Sequence, residues 1–346
     1  MPRVLIIATS RSSRSGITAV LKTYQSTALW RNYHCHWVQT HRDGPNWRKL
    51  LYLAIAWLDF MVRIPFYDIV HVHMSLQNSA KRKVPFVKLA KALGKKVIVH
   101  LHCGNQIDSI WNKNYDYLFR VADVSVFLSE SLKKMVESHT GKDRDYRVIY
   151  NSCPIVKNID VENRNKIILF SGTLNKGKGY LDLIQAFSII ADKFPEWKLL
   201  LAGNGEIDNG QSFADKVGME KRVEFLGWVS GETKDSIFRN AAIFCLPSYA
   251  EGFPMAILDA WAYGIPVVTT PVGGIPDIAD DEENMLLFNP GDVHKLAKQL
   301  EKIISSFEGD RLLYRRISAA SLDFAKNKFN VNTINAQIGE LYEELA

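Results

Sequence analysis

Much that would tie a chain of 346 residues to one chemistry is scarce or missing here. Four cysteines, Cys35, Cys103, Cys153 and Cys245, lie far apart with no CxxC spacing. Three fall in or beside apolar, strand-like runs, which favours buried reduced thiols over metal ligands or disulfides. No GxGxxG is present, which weakens a dinucleotide oxidoreductase reading. No helix-turn-helix, zinc-finger or RNP pattern is visible, so nucleic acid has nothing specific behind it as a partner. Low-complexity tracts and short-period repeats are absent too, leaving an ordinary globular composition. The most apolar stretch, Trp47–Phe66, is interrupted by Asp59 and Arg63 and does not comfortably span a bilayer. MPRVLIIATS has too short an apolar run for a signal peptide and reads as a first strand; a cytoplasmic location is the expectation.

What is present is a chain long enough for two domains, each with its own core. Its net charge of +6 hides an asymmetry: residues 1–160 carry +13 and residues 161–346 carry −7. Such a split points to a polyanionic surface or ligand facing the first half. Seven cations, Lys81, Arg82, Lys83, Lys88, Lys91, Lys95 and Lys96, follow one another with no acid between them. Beside them, Trp47–Phe66 is either a core helix of the first domain or an interfacial helix with Trp47, Trp57, Phe60 and Phe66 at headgroup level. An anionic membrane is therefore an expected partner, with the protein peripheral on its inner face.

The first half alternates strands, at 3–9, 34–40, 69–73, 97–102, 124–128 and 148–150, with segments long enough for crossover helices, so its sheet should be mostly parallel. Gly16 opens a helix after a Ser/Arg-rich loop, and free N–H groups there suit an anion or hydroxyl. Three His-x-His pairs, His34/His36, His71/His73 and His100/His102, each put two rings on one strand face. Metal binding is geometrically possible, but no acidic or Cys partner lies nearby at a sensible spacing, so no metal site is expected. Pro154 and the polar run 158–166 mark a boundary near residue 160. The second half opens with a buried strand, 167–170, then a turn holding Gly172, Gly177 and Gly179, where the backbone can approach a ligand and Lys178 can reach a diphosphate.

The chain is organised around residues 242–274, AIFCLPSYAEGFPMAILDAWAYGIPVVTTPVGG. It reads as strand, loop, helix, strand, with Pro254 in the first turn, Gly264 ending the helix, and Glu251 where the first strand empties. Ligands of parallel α/β sheets bind at the carboxyl ends of strands, so Glu251 lies where chemistry is expected.

This stretch resembles the signature region of family 4 glycosyltransferases, retaining enzymes of the GT-B fold, whose acidic pair is spaced E-x7-E before a Gly-Gly loop. Here the pair is Glu251 and Asp259, the second shorter by one methylene. The resemblance covers nearly the whole chain, specifically in the second half and more loosely in the first. It implies an α/β protein of two facing Rossmann-like domains with mostly parallel sheets. Residues 1–160 would bind the acceptor, residues 161–325 a nucleotide sugar, and residues 326–346 would cross back to the N-domain.

Further matches follow the same frame. Ser15-Gly16 stands where the family has a Gly-rich pair, and strand–GxLxxxKG–helix resembles its diphosphate loop. Thr173 replaces a usual Arg, which leaves more of the charge to Lys178. Strand ends at Asn204-Gly205 and Val229 correspond to those bordering the nucleobase. His102 matches a histidine near the donor sugar.

The implied reaction is retaining transfer of a hexose from a nucleotide diphosphate sugar, UDP favoured, to a hydroxyl of a glycan or lipid-linked acceptor in cell-surface polysaccharide synthesis. Lys178 and the amides near Gly16 and at Phe253, Met255 and Ala256 would neutralise the diphosphate. Glu251 would grip sugar hydroxyls and stabilise positive charge, Asp259 would hold the ribose, and His102 would contact the sugar. No second carboxylate suits a double displacement, so front-face attack assisted by the leaving phosphate is expected. With no DxD-like motif in a plausible loop, catalysis should need no metal or other cofactor. A GT-B epimerase or phosphorylase, or a non-catalytic membrane- or nucleic-acid-binding module, are the alternatives.

Overall fold

The structure, a computed structural model, describes residues 1–42 and 44–346. The chain forms two units, one of residues 1–152 with 331–346 and one of residues 153–330. The first unit runs β1 (Val4–Ala8), α1 (Gly16–Gln25), α2 (Ala28–Asn32), β2 (His36–Gln39), α3 (Asn46–Arg63), β3 (Ile69–Met74), α4 (Gln77–Ala92), β4 (Lys96–Leu101), α5 (Lys113–Val121), β5 (Val124–Phe127), α6 (Glu130–Thr140) and β6 (Tyr146–Val148). The second runs β7 (Asn165–Ser171), α7 (Tyr180–Ile190), β8 (Lys198–Ala202), α8 (Ile207–Lys216), β9 (Val223–Gly227), α9 (Gly231–Asn240), β10 (Ala241–Leu246), α10 (Met255–Ala262), β11 (Val267–Thr269), β12 (Leu286–Leu287), α11 (Val293–Glu308) and α12 (Leu312–Asp323). A last helix, α13 (Val331–Glu344), belongs to the first unit.

The strands are near-continuous apolar runs because helices cover both faces of a parallel sheet. VLIIA of β1, IVHVHM of β3 and AAIFCL of β10 are buried along their whole length. All described pairings are parallel, in the orders β2-β1-β3-β4-β5-β6 and β12-β11-β10-β7-β8-β9. Each sheet starts in its interior and is wound outward in both directions. The order therefore reverses between β1 and β3 in one sheet and between β7 and β10 in the other, and the crevice beyond the strand ends at such a reversal is where ligands bind.

The unit boundary falls between Ser152 and Cys153 rather than near residue 160, because the polar run after Pro154 already runs with the second unit: Cys153 N–H bonds Phe329 O at 2.8 Å. At the other end the returning segment begins at Val331, not 326. α13 is held by Tyr33, whose hydroxyl donates to Gly339 O at 3.1 Å, by His71 against the Tyr342 hydroxyl at 2.7 Å, and by an Arg147–Glu344 ion pair at 2.6 Å.

α3 turns out to be two-faced. Ala56 and Phe60 are buried and Trp57 stacks on Phe86 with ring centroids 4.2 Å apart, so Trp57 and Phe60 belong to the core and not to an interface. Trp47, Leu50, Leu51, Ile55, Leu58, Met61 and Val62 on the other face, and Phe66 just beyond it, are each more than half exposed. The cation run is also less uniform than its sequence: Lys83 is buried, its Nζ donating to Ser79 Oγ at 2.7 Å, and Lys91 pairs with Asp123 at 2.8 Å. Lys81, Lys88 and Lys96 remain exposed. Among the described residues no helix is long and apolar enough to cross a membrane.

Candidate functional site

The loops after β7 and β10 meet beside the order reversal of the second sheet. Asn175 accepts from the Lys178 amide at 3.1 Å and caps a single turn, Lys176–Lys178, before Gly179 starts α7. Gly179 sits at φ +65°, and a Cβ there would lie 2.1 Å from Pro247 O, so only glycine lets the two loops close. The Tyr249 amide then donates to Gly177 O at 2.9 Å.

This closure brings Lys178 Nζ to 2.5 Å from Glu251 Oε1, with Ser248 Oγ donating to the same oxygen at 2.7 Å. Glu251 is nearly enclosed, its side chain 10% exposed against 27% for Lys178. Behind it the Gly-Gly turn acts as a buttress. Gly273 has φ +62°, and a Cβ there would stand 2.4 Å from both Glu251 O and Gly252 O, while the Gly274 amide donates to Gly252 O at 2.7 Å.

Asp259 lies on α10, largely buried, with Oδ2 2.7 Å from Lys234 Nζ of α9. Burial pushes its carboxyl above the usual range, and Lys234 opposes that by favouring the charged form. The end of β8 is zipped to the loop after β7, since Leu174 N–H donates to Asn204 O at 2.8 Å and Gly172 N–H to Ala202 O at 2.9 Å. Gly205, beside Asn204, bridges Leu174. Thr173, Asn204 and Gly205 are exposed, and Gly172, Val229, Met255 and Ala256 half-buried.

Phe253, expected at the donor through its amide, places its side chain in the core. Its ring is buried against Trp261 and Phe329, at 6.2 and 5.2 Å between centroids, so its side chain is core and cannot line a ligand surface. Pro254 stands just before α10 rather than inside its first turn.

In the first unit Gly16 is exposed as the first residue of α1, with the Ser15 hydroxyl accepting from the Thr18 amide at 3.3 Å. His102 follows β4, half-buried, its Nε2 2.8 Å from His73 Nδ1. Burial and the neighbouring histidines hold its pKa well below the usual value, so the ring is neutral.

Sequence reasoning missed Ser248 and Lys234, and named His73 without its contact to His102. Ser248 stands three residues before Glu251 and could have been found as a local donor. Nothing in GETKDSIF marks Lys234, whose role needs α9 laid beside α10.

Two doubly wound parallel units of this order define the GT-B fold. Residues 155–319 match the family model described as glycosyl transferases group 1. The chain is 28% identical over 203 residues to an uncharacterized glycosyltransferase of Haemophilus influenzae, an alignment covering 58% of this chain and 55% of that one. It is 26% identical over 262 residues to the capsular polysaccharide biosynthesis glycosyltransferase CapM of Staphylococcus aureus, covering 69% of this chain and 68% of the relative. The chain thus spans about half the length of the first curated relatives it matches. Its fold is shared with Anabaena HepE, solved in complex with UDP, at a TM-score of 0.79 and 19% identity, over 99% of this chain and 100% of the other.

Proposed function

We propose that the protein is a retaining glycosyltransferase that moves a hexose from a UDP-sugar to a hydroxyl of a glycan or lipid-linked acceptor. The Lys178–Glu251 pair at the strand-order reversal carries this reading. The group 1 match over the unit that holds the pair, and the UDP complex of HepE, support it.

In the proposed reaction the diphosphate draws Lys178 away from Glu251. The bond from the anomeric carbon to the phosphate oxygen breaks, and its electrons leave with the diphosphate, neutralised by Lys178 and backbone amides at the start of α10. The acceptor oxygen attacks from the same face and passes its proton to the departing phosphate oxygen. Glu251, released from Lys178, holds sugar hydroxyls and stabilises the positive charge at the anomeric centre. Asp259 and Lys234 face the ribose hydroxyls. No metal takes part in a step.

The acceptor side of the proposal rests on α3. Eight large apolar side chains exposed over twenty residues exceed the scattered exposure of ordinary surfaces. The surrounding unit is strongly basic, so the partner is an anionic leaflet carrying the acceptor. The exposed Lys81, Lys88 and Lys96 contribute roughly 3 kcal/mol there. Partial insertion of the α3 face adds roughly 5 kcal/mol that salt does not screen. A total of about 8 kcal/mol corresponds to micromolar, reversible binding.

The test is incubation of the purified full chain with UDP-sugars and isolated membrane glycolipids, followed by NMR of the new linkage. Retention of the donor's anomeric configuration is expected. Inversion, sugar epimerisation without acceptor, or a requirement for free phosphate would each overturn the reading.

A further inference from the structure

Four imidazoles meet inside the first unit, away from any role in the proposed transfer except through His102. β3 carries His71 and His73, β4 carries His100, and His102 follows it; the period of two sends all four to one sheet face, and the strand register sets His73 opposite His100. The rings form a block, with centroids 4.2 Å apart for His71–His73, 5.0 Å for His73–His100, 4.2 Å for His100–His102 and 5.5 Å for His71–His100.

His71, His73 and His100 are at most 1% exposed. Two of their nitrogens are engaged: His71 Nδ1 with the Tyr342 hydroxyl at 2.7 Å, and His73 Nδ1 with His102 Nε2 at 2.8 Å. The other four, His71 Nε2, His73 Nε2 and both nitrogens of His100, have no partner among the described residues. A buried polar atom left unpaired is costly, and native interiors rarely leave several together. Donor nitrogens of the three rings lie within 4.8 Å of one another.

We propose that His71 Nε2, His73 Nε2 and one nitrogen of His100 bind a single divalent transition-metal ion of the zinc class. Three neutral imidazoles without a carboxylate suit Zn²⁺ or Co²⁺ and not Mg²⁺ or Ca²⁺. The two engaged Nδ1 atoms supply the outer hydrogen bonds such a site uses. With each Nδ1–H donating, to Tyr342 and to His102, each Nε2 presents its lone pair inward. An ion about 2.0–2.1 Å from every ligand needs the nitrogens closer than they stand, so loading requires the stacked imidazoles, 7–31° apart in plane, to turn about their side-chain bonds until their lone pairs converge. The ion ties β3 to β4 and, through His73, fixes the tautomer of His102; it takes no step in sugar transfer.

The test uses the untagged full chain produced in cobalt-supplemented medium. One cobalt per chain surviving gel filtration, with the visible absorption of cobalt held by imidazole nitrogens, is expected. Zinc-loaded protein should melt roughly 5 °C or more above protein produced without added metal. His71→Gln and His100→Gln should abolish the stoichiometric ion, whereas His34→Gln should keep it. In case either variant does not fold, imidazole ¹⁵N spectra of the wild-type chain read the same point, and zinc should displace signals of three buried histidines. Only trace metal in the wild type, unmoved buried-histidine signals, or binding that persists in both variants would overturn the proposal. Donor turnover serves as a separate readout, since loss of transfer with the cobalt site intact would count against the proposed function alone.

Discussion

Replacing Glu251 by Gln should move two measurements in opposite directions. In the free protein Lys178 Nζ stands 2.5 Å from Glu251 Oε1, and both side chains are partly shielded from water. At an effective dielectric near 20, that separation gives a gross attraction of about 6–7 kcal/mol. Desolvation and side-chain ordering cancel most of it, leaving roughly 1–2 kcal/mol that an incoming diphosphate must overcome to recruit Lys178. Gln keeps the shape and the Ser248 contact but removes the charge, so Lys178 is released in advance. Glu251→Gln should therefore bind free UDP about five- to thirtyfold more tightly by calorimetry. It should also lose roughly 10²-fold or more in kcat, because the carboxylate no longer stabilises the developing positive charge. Weaker UDP binding in this variant would show that Glu251 contacts the nucleotide directly and that the competition described here is wrong. A kcat near wild type would remove Glu251 from the chemistry.

Lys178→Ala should weaken UDP binding and turnover together, and adding Thr173→Arg should recover part of the binding; calorimetry that finds Lys178→Ala as tight as wild type would show the loop after β7 to be misassigned. A 2′-deoxy donor should lose affinity against wild type but not against Asp259→Ala, each charge-assisted hydrogen bond being worth about 1.5–3 kcal/mol, and equal losses in both proteins would break the ribose assignment. Wild type should sediment with anionic vesicles at low salt and not with zwitterionic ones, and Leu58→Glu with Val62→Glu should weaken that binding at least ~30-fold. Equal binding to both vesicle types would reject the electrostatic account, and no binding to either would leave the α3 face to a different partner.

The layering of both units was legible because it is written locally. Apolar runs of strand length, spaced by helix-length segments, leave little choice but parallel sheets. The frame around Glu251 was legible for the same reason, since strand, loop and helix follow one another in sequence. What escaped were contacts made across the fold. Lys178 and Glu251 could each be named, but not that they pair, because they are 73 residues apart and meet only when Gly179 lets two loops close. The histidines were weighed by asking for acids or cysteines nearby in the chain. The register of β3 on β4 instead supplied the third ring from 27 residues beyond His73. Helical faces were read too coarsely as well: Trp57, Phe60 and Lys83 share stretches with exposed neighbours, yet point inward because side chains three and four apart share a face.

Thr173 and Asp259 are two departures from the family pattern that the second half resembles, and the fold treats them differently. Thr173 is an exposed residue on the loop after β7, where a guanidinium would have offered a planar, bidentate grip on phosphate. Lys178 replaces it as a point charge, and that charge is already shared with Glu251. Asp259 loses a methylene but gains a brace, because Lys234 of α9 holds its carboxylate in place. A braced carboxylate and an ammonium together offer a sugar diol both an acceptor and a donor, so under the function proposed above the ribose end is better matched as the phosphate end is weaker. On the proposed reading donor recognition in this chain therefore leans on the nucleoside. That shift makes the paired test of Asp259→Ala and a 2′-deoxy donor more discriminating than the loss of any single phosphate contact.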